Sequence, residues 1–379
     1  MNNNLLKLLS VGMLASAPVT TALADVKIYG QVHAAYVVDD LDGQSAEQGI
    51  DDTAARSRIG FRAWEKLGNG MTALALLEFK VDPTTDSTNN LQNRQLWVAL
   101  KHKKWGFIGI GTFHSPYKLA GVKLDPLNTT ALQARGNGAM TTARGSNSLV
   151  NGFSNVNERG FNGILSHEGF VQSALLYKSP TWSKIRFEAI ISPDEKRRGR
   201  LDGNPANNAD GDDNDYAVAI HYNAGPIWAF VSWGENNIGT DAAGNNVGTE
   251  KAAKIGGKVK LGKHTVAAQY EWIDDSATLS GGGSYNRASN FSQITLGEDG
   301  EVWFLSYKYK AGNNDFVVQF GATSTEGDPV GDNDSEYFAT AIVHHFSKKT
   351  RMYAGYSESD GNSNNADREV VAVGVRKDF

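Results

Sequence analysis

The stretch Val26-Lys27-Ile28-Tyr29-Gly30-Gln31-Val32-His33-Ala34-Ala35-Tyr36-Val37-Val38 decides the fold. Val26, Ile28, Val32, Ala34, Tyr36 and Val38 share one face, and Lys27, Tyr29, Gln31 and His33 share the other. Successive side chains of extended backbone point to opposite sides, so this period-two pattern marks a half-buried strand. The pattern recurs. Ile59, Phe61 and Ala63 alternate with Arg58, Gly60, Arg62 and Trp64; Leu77, Phe79 and Val81 alternate with Leu76, Glu78 and Lys80. The same reading predicts strands near 26–38, 56–66, 71–81, 92–103, 105–112, 171–179, 184–192 and 214–223, then 226–235, 250–261, 264–274, 300–311, 314–325, 335–346, 350–359 and 367–379, sixteen in all.

Short and long connectors take turns between these runs. Leu67-Gly68-Asn69-Gly70, Ala224-Gly225-Pro226, Gly262-Lys263 and Asn313-Asn314 are short, with Gly and Asn suited to tight hairpins. Asp39–Ala55, Pro193–Asp213, Asp275–Asp299 and, longest, residues 113–170 are long and mostly polar. Strands of about 9–13 residues match what a tilted strand needs to cross a bilayer. Even strand number with short turns at one end and long loops at the other is the transmembrane-barrel pattern. Closure lets every backbone N–H and C=O pair within hydrocarbon. The expected fold is therefore all-β, a 16-stranded antiparallel transmembrane β-barrel. Trp105, Trp182, Trp272, Tyr177, Tyr222 and Tyr356, near strand ends, are expected in interfacial girdles.

Composition agrees once only alternate residues need face lipid. The chain has 379 residues, 40% of them apolar, 41 Gly and a formal charge of −5. That acidic balance excludes a nucleic-acid partner, which requires a basic footprint. The lack of Cys excludes a disulfide frame, a thiolate metal site and a cysteine nucleophile. No H-E-x-x-H, G-x-S-x-G or G-x-x-x-x-G-K-[ST] occurs, and no enzyme activity, cofactor or metal is expected. Asp210-Gly211-Asp212-Asp213-Asn214-Asp215 lacks the Gly and Glu of a calcium loop. Lys196-Arg197-Arg198-Gly199-Arg200 sits in a long connector, solvated or against lipopolysaccharide phosphates.

Residues 1–24 read as a secretory signal: Lys7, an apolar run from Leu8 to Ala17, and Ala22-Leu23-Ala24 as a small-x-small cleavage site. Residues 25–379 then form a single barrel domain.

Three stretches resemble the Gram-negative general porins of the neisserial and β-proteobacterial type. They are Asp25–Gln31 with Ser57–Arg62 and Leu67–Met71; Asn93-Arg94-Gln95 with Val98-Ala99-Leu100 and the Gly-rich run to Gly111; and Phe346–Thr350 with Tyr353–Tyr356 and Val373–Phe379. The resemblance implies a homotrimer in the outer membrane, with residues 113–170 folded into the pore as a constriction loop. It implies passage of small hydrophilic solutes and ions, and contacts with lipopolysaccharide. It also implies recognition of the terminal Phe379 by the barrel assembly machinery. By motif, Arg58, Arg62 and Arg94 match basic lumen-wall residues, and Glu78 matches an acidic residue on the neighbouring strand. The loop supplies Lys118, Lys123, Arg135, Arg144 and Arg159 against Asp125, Glu158 and Glu168. Opposed charges in a narrow, low-dielectric passage set ion preference. The family pattern has Gly-Arg where this chain has Gly111 followed by Thr112 and Phe113, one wall cation fewer. Strict alternation puts Arg94 on the face of Leu96 and Val98, so a lumen position for it requires either a bulge or a different strand register. Two rival readings are a substrate-selective porin for oligosaccharides or anions, and a secreted soluble β-protein such as a lectin or glycosidase.

Overall fold

The computed structural model describes residues 24–41, 45–52, 57–84, 91–134, 170–193, 214–240, 246–280, 293–326, 335–361 and 367–379. The first six strands are β1 (Asp25–Leu41), β2 (Glu47–Asp51), β3 (Arg58–Gly68), β4 (Met71–Lys80), β5 (Gln92–His102) and β6 (Gly106–Phe113). A short helix α1 (Pro116–Val122) precedes β7 (Val171–Lys178), β8 (Ile185–Ser192), β9 (Asp215–Ala224), β10 (Ile227–Thr240), β11 (Asn246–Leu261) and β12 (His264–Ser280). The remainder are β13 (Gln293–Ala311), β14 (Asn314–Glu326), β15 (Ser335–Ser347), β16 (Thr350–Gly361) and β17 (Arg368–Asp378). From β3 onward each strand pairs antiparallel with the next, and β1 pairs with β17 from Gln31↔Asp378 to Leu41↔Arg368. The sheet closes on itself.

All sixteen expected strands are present, and β10 to β13 run past their expected ends. The seventeenth, β2, lies inside the connector Asp39–Ala55, which the alternation reading left without structure. Its residues pair with Ala35–Asp39 of β1, while β3 pairs with Asp25–Gln31 on the same edge. Thus β2 and β3 occupy one barrel position, interrupted by an excursion opposite the His33 region. The Asp52 carboxylate accepts from Ser57 N at 2.8 Å and meets His33 Nδ1 at 3.1 Å, and His33 N donates to Ser57 Oγ at 2.8 Å. The closed barrel remains sixteen positions round.

The two faces are inverted relative to a water-soluble protein. Outward stand Val26, Ile28, Val98, Ile110, Ile255, Ile342, Val373 and Val375, all exposed. An apolar belt on this scale exceeds any patch a soluble monomer carries, which tells against the soluble alternative. Trp233 and Trp272 both flank Ala253, at one level of the belt. Tyr307 pairs with Val266, six residues from Trp272 and so about 20 Å along the strand. Exposed Trp182 and Tyr222 share the short-turn end with Tyr307. Two aromatic levels bound the belt, as an interfacial girdle requires.

Inward stand Gln31, His33, Glu78, Arg94, Glu188, Lys254, Glu271 and Gln319, buried polar groups that satisfy one another or the chain that crosses the interior. The apolar core lies between this wall and the connector after β6: Tyr117, Leu124, Leu127 and Leu132 pack among Leu176, Phe230, Tyr337 and Tyr353.

Candidate pore constriction

Of the 113–170 connector, the described part turns inward at once. Ser115 caps α1, its Oγ accepting from Lys118 N at 3.0 Å, and Pro116 stands in the first turn, where no intrahelical N–H is needed. The helix lies against β8, β9 and β10. From there to Ala134 the chain is hydrogen-bonded to one strand of the inner wall after another. Tyr117 donates to Glu271 of β12, and Lys258 of β11 donates to the Lys123 carbonyl at 3.2 Å. Ser306 of β13 donates to Leu124 O at 3.1 Å, and Gln319 of β14 donates to Asp125 at 2.5 Å. Tyr337 of β15 donates to Leu132 O at 3.2 Å, and Ala131 N donates to Tyr353 of β16 at 2.8 Å. Arg351 and Arg376 both reach Thr129. Asp125 binds this segment to itself, accepting from Leu127 N at 2.7 Å and Ala134 N at 3.1 Å. Burial and the Glu271 carboxylate raise the Tyr117 hydroxyl well above the ordinary tyrosine range, so it stays a donor.

Opposite, the wall of β1 and β3–β5 carries four of the motif-matched residues in one cluster. Glu78 accepts from Arg94 Nε at 2.8 Å and from the Tyr29 hydroxyl at 2.9 Å, and Arg58 Nε stands 3.8 Å away. Arg58 also donates to Gln31 at 2.9 Å. Arg62 lies over the Tyr29 ring, 5.3 Å from its centroid. Arg94 reaches the inner face because the β4–β5 register shifts between Leu77↔Leu96 and Phe79↔Asn93, so two residues oppose Glu78. Of the two alternatives that alternation left, this is the bulge. Arg94 is only 5% exposed, packed on the Phe170 ring at 4.9 Å, with Lys118 Nζ 4.8 Å from the same ring. The arginine is thus neutralised and covered, whereas Arg62 is exposed.

Lys123, at the end of α1, belongs to a third group. Its ammonium lies 5.1 Å from the Trp228 ring centroid, with Lys258 Nζ at 5.7 Å. Partial desolvation and then the Arg186 charge lower Lys123 from the usual lysine range, although the residue is exposed. A cavity of about 520 Å³ opens here, lined by Lys184, Arg186, His221, Trp228 and Lys260 besides these two lysines. A second, of about 450 Å³, adjoins it at Thr181 and Arg186, under Trp97 and Phe113.

The expected site residues therefore separate. Arg58, Glu78 and Arg94 meet, Arg62 stands beside them over Tyr29, and Lys118 touches their cover; Lys123 and Asp125 lie elsewhere. Arg135 and Arg144 lie outside the described residues, as do Lys196–Arg200 and Asp210–Asp213. Phe379 exchanges backbone hydrogen bonds with Gly30 at 3.1 and 3.3 Å, and its ring lies where a Gly30 Cβ would be. The sequence reading missed Tyr29 and Phe170 as partners, and the basic cavity entirely. Tyr29 and most of the cavity residues had as their signal a place on the polar face of a strand, which many residues share, while Phe170 precedes β7 and Lys123 ends α1.

The Gram-negative porin family model matches residues 9–364. The chain belongs to the Gram-negative porins. It is similar to the major outer membrane protein P.IB of Neisseria gonorrhoeae, 35% identical over 118 residues, which are 30% of this chain and 33% of that protein. The match thus spans about a third of the relative's length. Among solved structures the porin is similar to the anion-selective porin from Comamonas acidovorans, with a TM-score of 0.70 and 16% identity over 94% of this chain and 100% of that one. It is also similar to OmpT of Vibrio cholerae in its trimer form, with a TM-score of 0.60 and 13% identity over 94% and 99%. At such identities the structures share the fold. Family membership places this porin in the outer membrane of a Gram-negative cell.

Proposed function

We propose that this porin is a homotrimeric channel for passive diffusion of small hydrophilic solutes and ions, with residues 113–170 narrowing the lumen. The carrying observation is the run 115–134, tied by side-chain hydrogen bonds to the inner wall of β11 through β17. A segment so held reduces the open section of a barrel. Arg58, Arg62, Glu78 and Arg94 serve as wall charges on one side, Lys118 and Lys123 as loop charges, and Asp125 as the loop's internal brace. Lipopolysaccharide surrounds the long-loop rim, and the barrel assembly machinery inserts the chain. No catalytic step belongs to this reading. The trimer form of the OmpT relative supports the assembly state.

The test is conductance in planar bilayers from purified protein that runs as a heat-modifiable oligomer. Stable ohmic steps are expected. Silent bilayers from folded protein would contradict the channel reading. The rival reading, a porin selective for anions, draws on one observation, the basic cavity beside Lys123.

A further inference from the structure

We infer that the cavity between α1 and strands β8–β11 is a binding site for a small dianion, a phosphate- or dicarboxylate-class solute. The inference deepens the channel reading and rests on it for its place in transport. Five cationic side chains line the cavity: Lys123, Lys184, Arg186, Lys258 and Lys260. No carboxylate is among its lining residues. The nearest described acid, Glu188, is already engaged, 2.5 Å from Arg186 Nη2 and 3.4 Å from Lys178 Nζ. Among the described residues, Lys123, Lys184, Lys258 and Lys260 make no ion pair with a carboxylate.

Lys184 and Lys260 are exposed at the rim, whereas Lys123, also exposed, and half-buried Lys258 are organised around an aromatic plate. Lys123 and Lys258 both stand over Trp228, and His221 stacks on the same ring with centroids 5.9 Å apart. His221 is 3% exposed and neither of its ring nitrogens makes a hydrogen bond; Nε2 stands 3.7 Å from Glu188. Arg186 Nε is buried and unbonded as well. Buried donors of this kind are costly unless a partner arrives. An oxyanion supplies that partner. Its oxygens would accept from His221 and Arg186 while its charge offsets the lysines around it. The cavity, about 520 Å³, lies in the size range of small-solute sites. More than one uncompensated cation favours a dianion over chloride.

The position matters for transport. Lys184, Gly225 and Lys260 belong to the short-turn end, periplasmic in outer-membrane barrels. Lys123 comes from the crossing segment itself. A dianion passing that segment would meet the site next, before release.

Calorimetric titration of the detergent-folded porin with inorganic phosphate at pH 8, and separately with succinate, reads binding without conductance. Saturable binding of at least one dianion is expected, weakened about tenfold or more by Lys258→Gln and by His221→Phe. Such a loss is what removing one charge-assisted hydrogen bond produces. Folding of both variants is checked by heat-modifiable migration. In bilayers the same dianion added on the short-turn side should depress the chloride current of the wild type, and less so that of Lys258→Gln. Wild-type protein that binds neither dianion, or variants that bind as tightly as wild type, would overturn the site. A conducting wild type without dianion binding overturns the site alone; binding by a silent wild type overturns the channel reading alone.

Discussion

The two sides of the lumen hold their positive charge in opposite ways. On β3–β5, Arg58 and Arg94 converge on one Glu78, and Phe170 covers Arg94. Between α1 and β8–β11, five cations line a cavity that no carboxylate lines; Arg186 pairs with Glu188 beside it, while Lys123 and Lys258 meet an aromatic ring in place of a counter-ion. Counting arginines by motif would assign selectivity to the first side. The proposed dianion site would place it on the second. A paired, covered cation has little field left to act on a passing ion, while uncompensated cations in a recess keep theirs. The first cluster reads as structure that fastens wall to loop, and the second as the part that meets solute.

The largest effect expected from this contrast is on stability. Arg94→Ala leaves buried Glu78 with Arg58 at 3.8 Å and the Tyr29 hydroxyl. Breaking a buried pair on one side should cost about 3 kcal/mol, seen as a lower heat or urea midpoint of the detergent-folded barrel. A cost below about 1 kcal/mol would mean the cluster is no fastener. Next comes the loop brace. Asp125→Ala removes the acceptor shared by Leu127 N, Ala134 N and Gln319, a local loss of about 2 kcal/mol. Noisier single-channel current and faster proteolysis within 115–134 are the readouts; quiet channels would count against a braced loop. Gly30→Val sets a side chain against the Phe379 ring at the β1–β17 seam. Overpacking there should cost about 1–2 kcal/mol, read as lower refolding yield. Smallest is Lys260→Ala, exposed at a strand end, expected within about 0.5 kcal/mol of wild-type stability although it lines the cavity.

The barrel was legible because one rule governs it: a chain with one face in lipid must alternate. Val26–Val38 shows the rule and fifteen further runs repeat it. Elements under other rules were not legible. Strand β2, Glu47-Gln48-Gly49-Ile50-Asp51, has a single large apolar residue, and it forms because the upper half of β1 offers an open edge. The face of Arg94 depends on a bulge, a property of two paired strands rather than of either alone. The crossing segment is held by partners such as Tyr117 and Glu271, 154 residues apart. His221, Trp228 and Lys258 come from three strands whose polar faces look alike one by one. Pairing of β9 with β10 and of β10 with β11 brings them round one cavity. The motif found the cluster built around Glu78 and passed over the cavity that no carboxylate lines, because spacing along a strand reports direction and says nothing about pairing.

The central claim, that uncompensated charge beside Lys123 outweighs the paired charge beside Glu78, has a direct test. Zero-current potentials across a potassium chloride gradient are compared for wild type, the double variant Glu78→Gln with Arg94→Gln, and the double variant Lys123→Gln with Lys258→Gln. The first double variant removes a neutral pair and should leave the potential near the wild-type value. The second removes two free cations and should move it clearly toward cation preference. A large shift in the first with none in the second would contradict the account.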